Sequence, residues 1–75
     1  MQNKDKTQLE RLLDALNELS PDVTTDDKKI ISKKLDIHQF TVARYLNGLG
    51  ANADIASKLV SFFKTRISER EKAIA

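Results

Sequence analysis

Residues Lys28–Gly48 read KKIISKKLDIHQFTVARYLNG, and the spacing within this stretch decides the fold. Ile30, Ile31 and Leu35 fall on one side of a helix while Lys29, Lys33 and Lys34 line its outer side, an amphipathic pattern. Thr25 is placed to cap the free N–H groups at its start. Asp26 and Asp27 stand in the first turn, where the helix dipole favours negative charge. This helix stops near Leu35-Asp36. After Asp36, Ile37 and His38 a second short helix is expected from about Gln39 to Leu46, closed by Asn47-Gly48. Gly48 suits the left-handed position that commonly terminates helices.

Working toward the N-terminus, Leu9, Leu12, Leu13, Leu16 and Leu19 recur at spacings of three and four. They predict one apolar stripe on a helix from about Thr7 to Leu19, and such a stripe belongs to a core. Thr7 with Glu10 three residues on has the pattern of a capping box, and Ser20-Pro21-Asp22 ends the helix. On the C-terminal side, Gly50-Ala51-Asn52-Ala53 is a joint from which Asn52 can cap a long helix, about 53–72. Ile55, Leu59, Phe62, Phe63 and Ile67 form its wide apolar face, with Leu59, Phe62 and Phe63 expected to seal the core. The more charged stretch from Lys64 to Ala75 is expected to project or fray. Adjacent phenylalanines cannot both face one way. One of Phe62 and Phe63, together with Ile67 and Ile74, is therefore a candidate face for a second copy of the chain.

Composition bounds the rest. At 75 residues and 8.5 kDa the chain is expected to form a single domain, 1–75, that buries only roughly 60% of its unfolded surface. There are no cysteines, and a single histidine cannot build a zinc site. No apolar run approaches the roughly 18 residues of a membrane span, and the opening MQNKDKTQ lacks the apolar stretch of a signal peptide. Two glycines and one proline leave few turn signals, which predicts an all-α bundle of four to five helices, and the composition as a whole places it in the cytoplasm. Little chain remains to line a pocket once a core is built. No nucleophile–base pair, phosphate-cradling loop or paired carboxylates are evident either, so no enzyme, cofactor, metal or small-molecule substrate is expected.

The net charge of +2 is unevenly spread. Residues 1–27 hold three basic groups (Lys4, Lys6, Arg11) against seven acidic ones. Residues 28–46 reverse this, with Lys28, Lys29, Lys33, Lys34 and Arg44 against Asp36 alone. Residues 47–75 carry five basic and three acidic groups. A basic middle suits a polyanion such as nucleic acid, but by charge alone a solvated face is the commoner explanation.

Two short helices with a three-residue joint outline a helix-turn-helix. The stretch resembles the helix-turn-helix of phage repressor/Cro-like proteins and of lac-repressor headpiece domains. That pattern has apolar groups at its fourth, eighth, tenth, fifteenth and eighteenth positions, supplied here by Ile31, Leu35, Ile37, Val42 and Tyr45. It wants a small residue at the fifth, and Ser32 is small. Thr41-Val42-Ala43-Arg44 followed by Leu46-Asn47 is similar to the recognition helix of lac-type repressors, and Asn47-Gly48 to its end in phage repressors. Two positions depart from the pattern. Asp36 stands where the turn usually has Gly, and His38 replaces the usual Ser/Thr cap.

The resemblance implies a lambda-repressor-like fold whose second motif helix enters the major groove. Gln39 is then placed to pair with adenine and Arg44 with guanine; for Arg44 a phosphate contact or a surface ion pair is the alternative. Phe40 either meets a thymine methyl or folds back over Ile37. Thr41 and Asn47 are expected to anchor phosphates at the two ends of the helix, with Lys28 and Lys29 supplying further phosphate contacts. His38 touches phosphate or is simply an exposed turn residue. The function expected is sequence-specific binding of double-stranded DNA in the nucleoid by a transcription regulator or DNA organiser of a bacterium, phage or mobile element. Such proteins usually act as two-fold dimers. The alternatives are a protein-interaction adaptor working through the C-terminal helix and an antitoxin that also captures a toxin.

Overall fold

The computed structural model describes residues 7–74, with side chains as far as Ala73. Lys4, Asp5, Lys6 and the Ile74 side chain, which entered the charge division and the candidate dimer face, lie outside the described residues. Four α-helices follow in order: α1 (Gln8–Leu19), α2 (Thr25–Leu35), α3 (Gln39–Leu46) and α4 (Ala53–Ile74), with a 3-10 turn at Ser20–Asp22. Among the described residues there is no strand, and no helix is long and apolar enough to cross a membrane.

Local chemistry sets each helix end. At α1 the Thr7 side chain accepts from the Glu10 N–H at 3.1 Å while the Glu10 carboxylate accepts from the Thr7 N–H at 2.9 Å, closing the expected capping box. The same reciprocal box opens α2, but its members are Thr24 and Asp27, not Thr25. Thr25 is already the first helical residue. The three-residue spacing explains the correction: Asp27 follows Thr24 by three, whereas Lys28, three after Thr25, has no acceptor to return.

Both inner helices stop in the same way. Asp36 has φ 55° and Gly48 φ 83°, each in the left-handed region. Behind Asp36 the Ile37 N–H reaches back to the Ser32 carbonyl at 3.0 Å; behind Gly48 the Leu49 N–H reaches the Arg44 carbonyl at 2.9 Å. These are Schellman closures, and they hold Asp36–His38 and Asn47–Asn52 as ordered joints. Asn52 caps α4 by accepting from the Ile55 N–H at 3.1 Å, as its position predicted.

The core forms where α1 lies along α4, α3 packs on α1 and α2, and α2 leans on α4. Leu16, Ile31, Val42, Tyr45, Leu46, Ala56, Leu59, Val60 and Phe63 are buried there, with Leu9, Leu12, Leu13 and Leu19 packed around them. The leucine stripe of α1 is thus core. Ser32 is buried among these groups, where a larger side chain would separate the helices, and its hydroxyl donates to the Lys29 carbonyl at 2.8 Å.

Two expectations about α4 need correction. Its charged second half does not project: Arg66 and Arg70 turn back onto α2, where they bind Asp27. Phe63 is fully buried, so it cannot belong to a face offered to a second chain. Phe62 is only half-buried, and the cationic ends of Lys34 and Arg66 lie 5.6 and 5.8 Å from its ring centre. Ile67 is half-buried.

Candidate nucleic-acid interface

α3 is short, yet it is clamped on three sides. Val42, Tyr45 and Leu46 sit in the core, which fixes the rotation of the helix. The Asn17 side-chain amide donates to the Leu46 carbonyl at 3.3 Å, tying its C-terminal end to α1. The Tyr45 hydroxyl accepts from the Asn52 N–H at 2.9 Å, tying it to the following joint. With those residues inward, Gln39, Phe40 and Arg44 are exposed. Phe40 and Arg44 stand one turn apart on the same ridge.

The N-terminal tip of α3 is built by His38. Its Nδ1 accepts from the Phe40 N–H at 3.1 Å, so the imidazole does the capping work of the usual Ser or Thr. The His38 and Phe40 rings then stack with centroids 4.9 Å apart and planes 11° from parallel. Phe40 is 75% exposed and does not fold back over Ile37. The second exposed large apolar group, Leu49, lies past the other end of α3.

Of the expected phosphate contacts, Lys29 is exposed and Lys28 is half-buried. Lys33 and Lys34 are exposed as well, with the Lys34 ammonium near the Phe62 ring. Thr41 is half-buried and joins Arg44, Tyr45, Leu49, Gly50 and Ala51 around a shallow depression of about 200 Å³. Asn47 faces a different environment. With Gly48 it lines an open cleft of about 310 Å³ whose other walls are Glu10, Leu13, Asp14 and Asn17 of α1. Asn47 itself is exposed.

Among the described residues Asp27 is the one charged group that is buried. Its carboxylate is fully buried and receives the Thr24 N–H at 3.1 Å, Arg66 Nε at 2.9 Å, and Arg70 Nη1 at 2.9 and 3.2 Å. Arg70 Nη2 also donates to the Asp22 carbonyl at 2.6 Å. Burial by itself pushes the Asp27 carboxyl up. The Thr24 hydrogen bond, those from Arg66 and Arg70, and the Arg70 charge outweigh it and hold the group below its ordinary 3.8. The sequence alone puts Asp27 on the helix dipole and Arg66 and Arg70 in a projecting tail. The Thr24-x-x-Asp27 spacing was the available signal for half of the cluster; nothing in the sequence marked its partners 39 and 43 residues away.

No protein-family model matches this chain, and neither a curated protein nor a solved structure shows significant similarity to it. The exposed face of α3 therefore speaks through its own residues: an amide, an aromatic ring and a guanidinium on an immobilised helix, with two free lysines on the helix before it.

Proposed function

We propose that the chain binds duplex DNA, with α2, the joint Asp36–His38 and α3 acting as a helix-turn-helix of the lambda-repressor-like kind, and performs no chemistry. The observation that carries this reading is the outward ridge of α3. Gln39, Phe40 and Arg44 stay in solvent while the opposite side of the helix is locked in the core. Groove readout needs this combination, because base-edge hydrogen bonds are specific only when the helix presenting them cannot rotate. Gln39 pairs with adenine and Arg44 with guanine. Lys29, Lys33 and the aliphatic-stemmed Lys28 supply phosphate contacts, and Thr41 and the His38 Nε2–H add hydrogen bonds. The role is transcription regulation or DNA organisation. A dimer, where it forms, uses Ile67 and the open edge of Phe62.

Binding to a labelled duplex across a salt series tests this. With three to five phosphates neutralised, log affinity falls against log salt with a slope of roughly −3 to −5. A flat response, or no binding at low salt, removes the reading. On duplexes selected from a random pool, Gln39→Ala and Arg44→Ala each cost about 1–3 kcal/mol and relax base choice. Equal losses on selected and random duplexes reassign both to backbone anchoring.

The exposure of Leu49 beside Arg44 favours a second reading, a protein-interaction adaptor or antitoxin that docks through the same end of α3. A flat salt response selects it.

A further inference from the structure

The ring pair at the tip of α3 has more construction than edge readout of a groove requires. Hydrogen bonding of Nδ1 to the Phe40 N–H leaves the imidazole proton on Nε2 and fixes the plane of the ring. Phe40 lies nearly parallel to that plane and is the most exposed large apolar side chain among the described residues. One face of its ring is braced by His38, and three-quarters of the side chain remains open. The stretch of chain that carries the ring favours an anionic partner: from Lys28 to Leu46 five cations stand against the single carboxylate of Asp36, and exposed Arg44 lies one turn along the same ridge as Phe40. A flat π-surface carried on a polyanion is a nucleobase.

We propose that Phe40, braced by His38, is a stacking platform for one unstacked nucleobase, so that the preferred DNA is a duplex carrying a bulged or extruded base beside the face of α3. The proposal rests on the DNA-binding reading above and adds its substrate class. Stacking on a protein ring is tolerant of base identity, because every base has a π-face. It gains only where the base has already left the helix, since extrusion from an intact duplex costs energy. A ring already oriented by its neighbour loses little freedom on taking the base.

The test uses the full chain and three labelled duplexes of one sequence: fully paired, with one bulged dT, and with one bulged dU. The expected result is about tenfold tighter binding to either bulged duplex than to the paired one, with dT and dU equal, within the range of a single base–aromatic stack. Phe40→Ala abolishes the preference and Phe40→Trp retains it. Circular dichroism of both variants should match the parent, because the side chain is outside the core. Equal affinity for paired and bulged duplexes, or an equal loss on all three in Phe40→Ala, overturns the stacking platform and leaves DNA binding standing. Weaker binding to dU than to dT also overturns it, assigning Phe40 to the thymine methyl. Failure to bind any of the three at low salt overturns the DNA-binding reading beneath it.

Discussion

A Cβ added at Gly50 would overlap Cδ2 and Cε2 of the Tyr45 ring. That ring has little room to yield, because it is buried and its hydroxyl accepts from the Asn52 N–H. Gly50→Ala is therefore expected to cost about 1–3 kcal/mol through overpacking. Gly48 offers the control. Nothing stands within 4 Å of its added Cβ, so Gly48→Ala costs only the strain of its positive φ, about 1 kcal/mol. Urea unfolding of the two variants checks the contrast. A Gly50→Ala protein no less stable than Gly48→Ala would contradict the crowding. The requirement at Gly48 could be read from its place after a short helix. The one at Gly50 could not, because it depends on where a ring five residues earlier is folded.

Among the elements, α2 shows how one residue of register changes the account. Taking Thr25 as the cap left Asp27 as an ordinary first-turn acid. With Thr24 as the cap, Asp27 is both the returning member of the box and the acceptor for α4. Thermal melts separate the alternatives: Thr24→Ala should lose about 1 kcal/mol and Thr25→Ala only a few tenths. The reverse order would restore Thr25. At the other end of the contact, Arg70 holds α4 to both Asp27 and the Asp22 carbonyl. Its side chain is 38% exposed, which softens the Coulombic part, so Arg70→Ala should cost about 1–3 kcal/mol. Hydrogen exchange ought to rise chiefly in the last turns of α4. Unchanged protection there would mean that those turns are held by something else.

For the whole molecule, the Asp27 cluster joins the acidic front of the chain to its basic tail and gives stability a pH dependence of definite sign. The folded-state pKa of Asp27 is depressed below 3.8. Its contribution is complete above the unfolded value, roughly pH 5 and higher, and is lost as pH falls through the folded value. Melting temperature should therefore fall more steeply below about pH 4 in the parent than in Asp27→Asn, whatever the stability of that variant at neutral pH. Parallel curves would show that the carboxylate is not the group titrating. The cluster also spends Arg66 and Arg70 internally, and Lys34 is drawn to Phe62. On α2 and α3 the cations free of such contacts and facing solvent are Lys29, Lys33 and Arg44.

The helices themselves were legible because their causes are local. The stripe of leucines, the Thr7–Glu10 box, the Asp36 and Gly48 stops and the Asn52 cap each involve residues within a few positions of one another. Helical spacing also determined which side of α3 would be buried, and hence that Gln39 and Arg44 would face outward, whereas spacing left Phe40 open between solvent and a fold back over Ile37. Pairings across long stretches of chain were decided only by folding. Which phenylalanine sealed the core, what covered the other, and where the tail's arginines went all depended on the angle at which α4 crosses α2, and a buried carboxylate accepts whichever cations that crossing brings within reach.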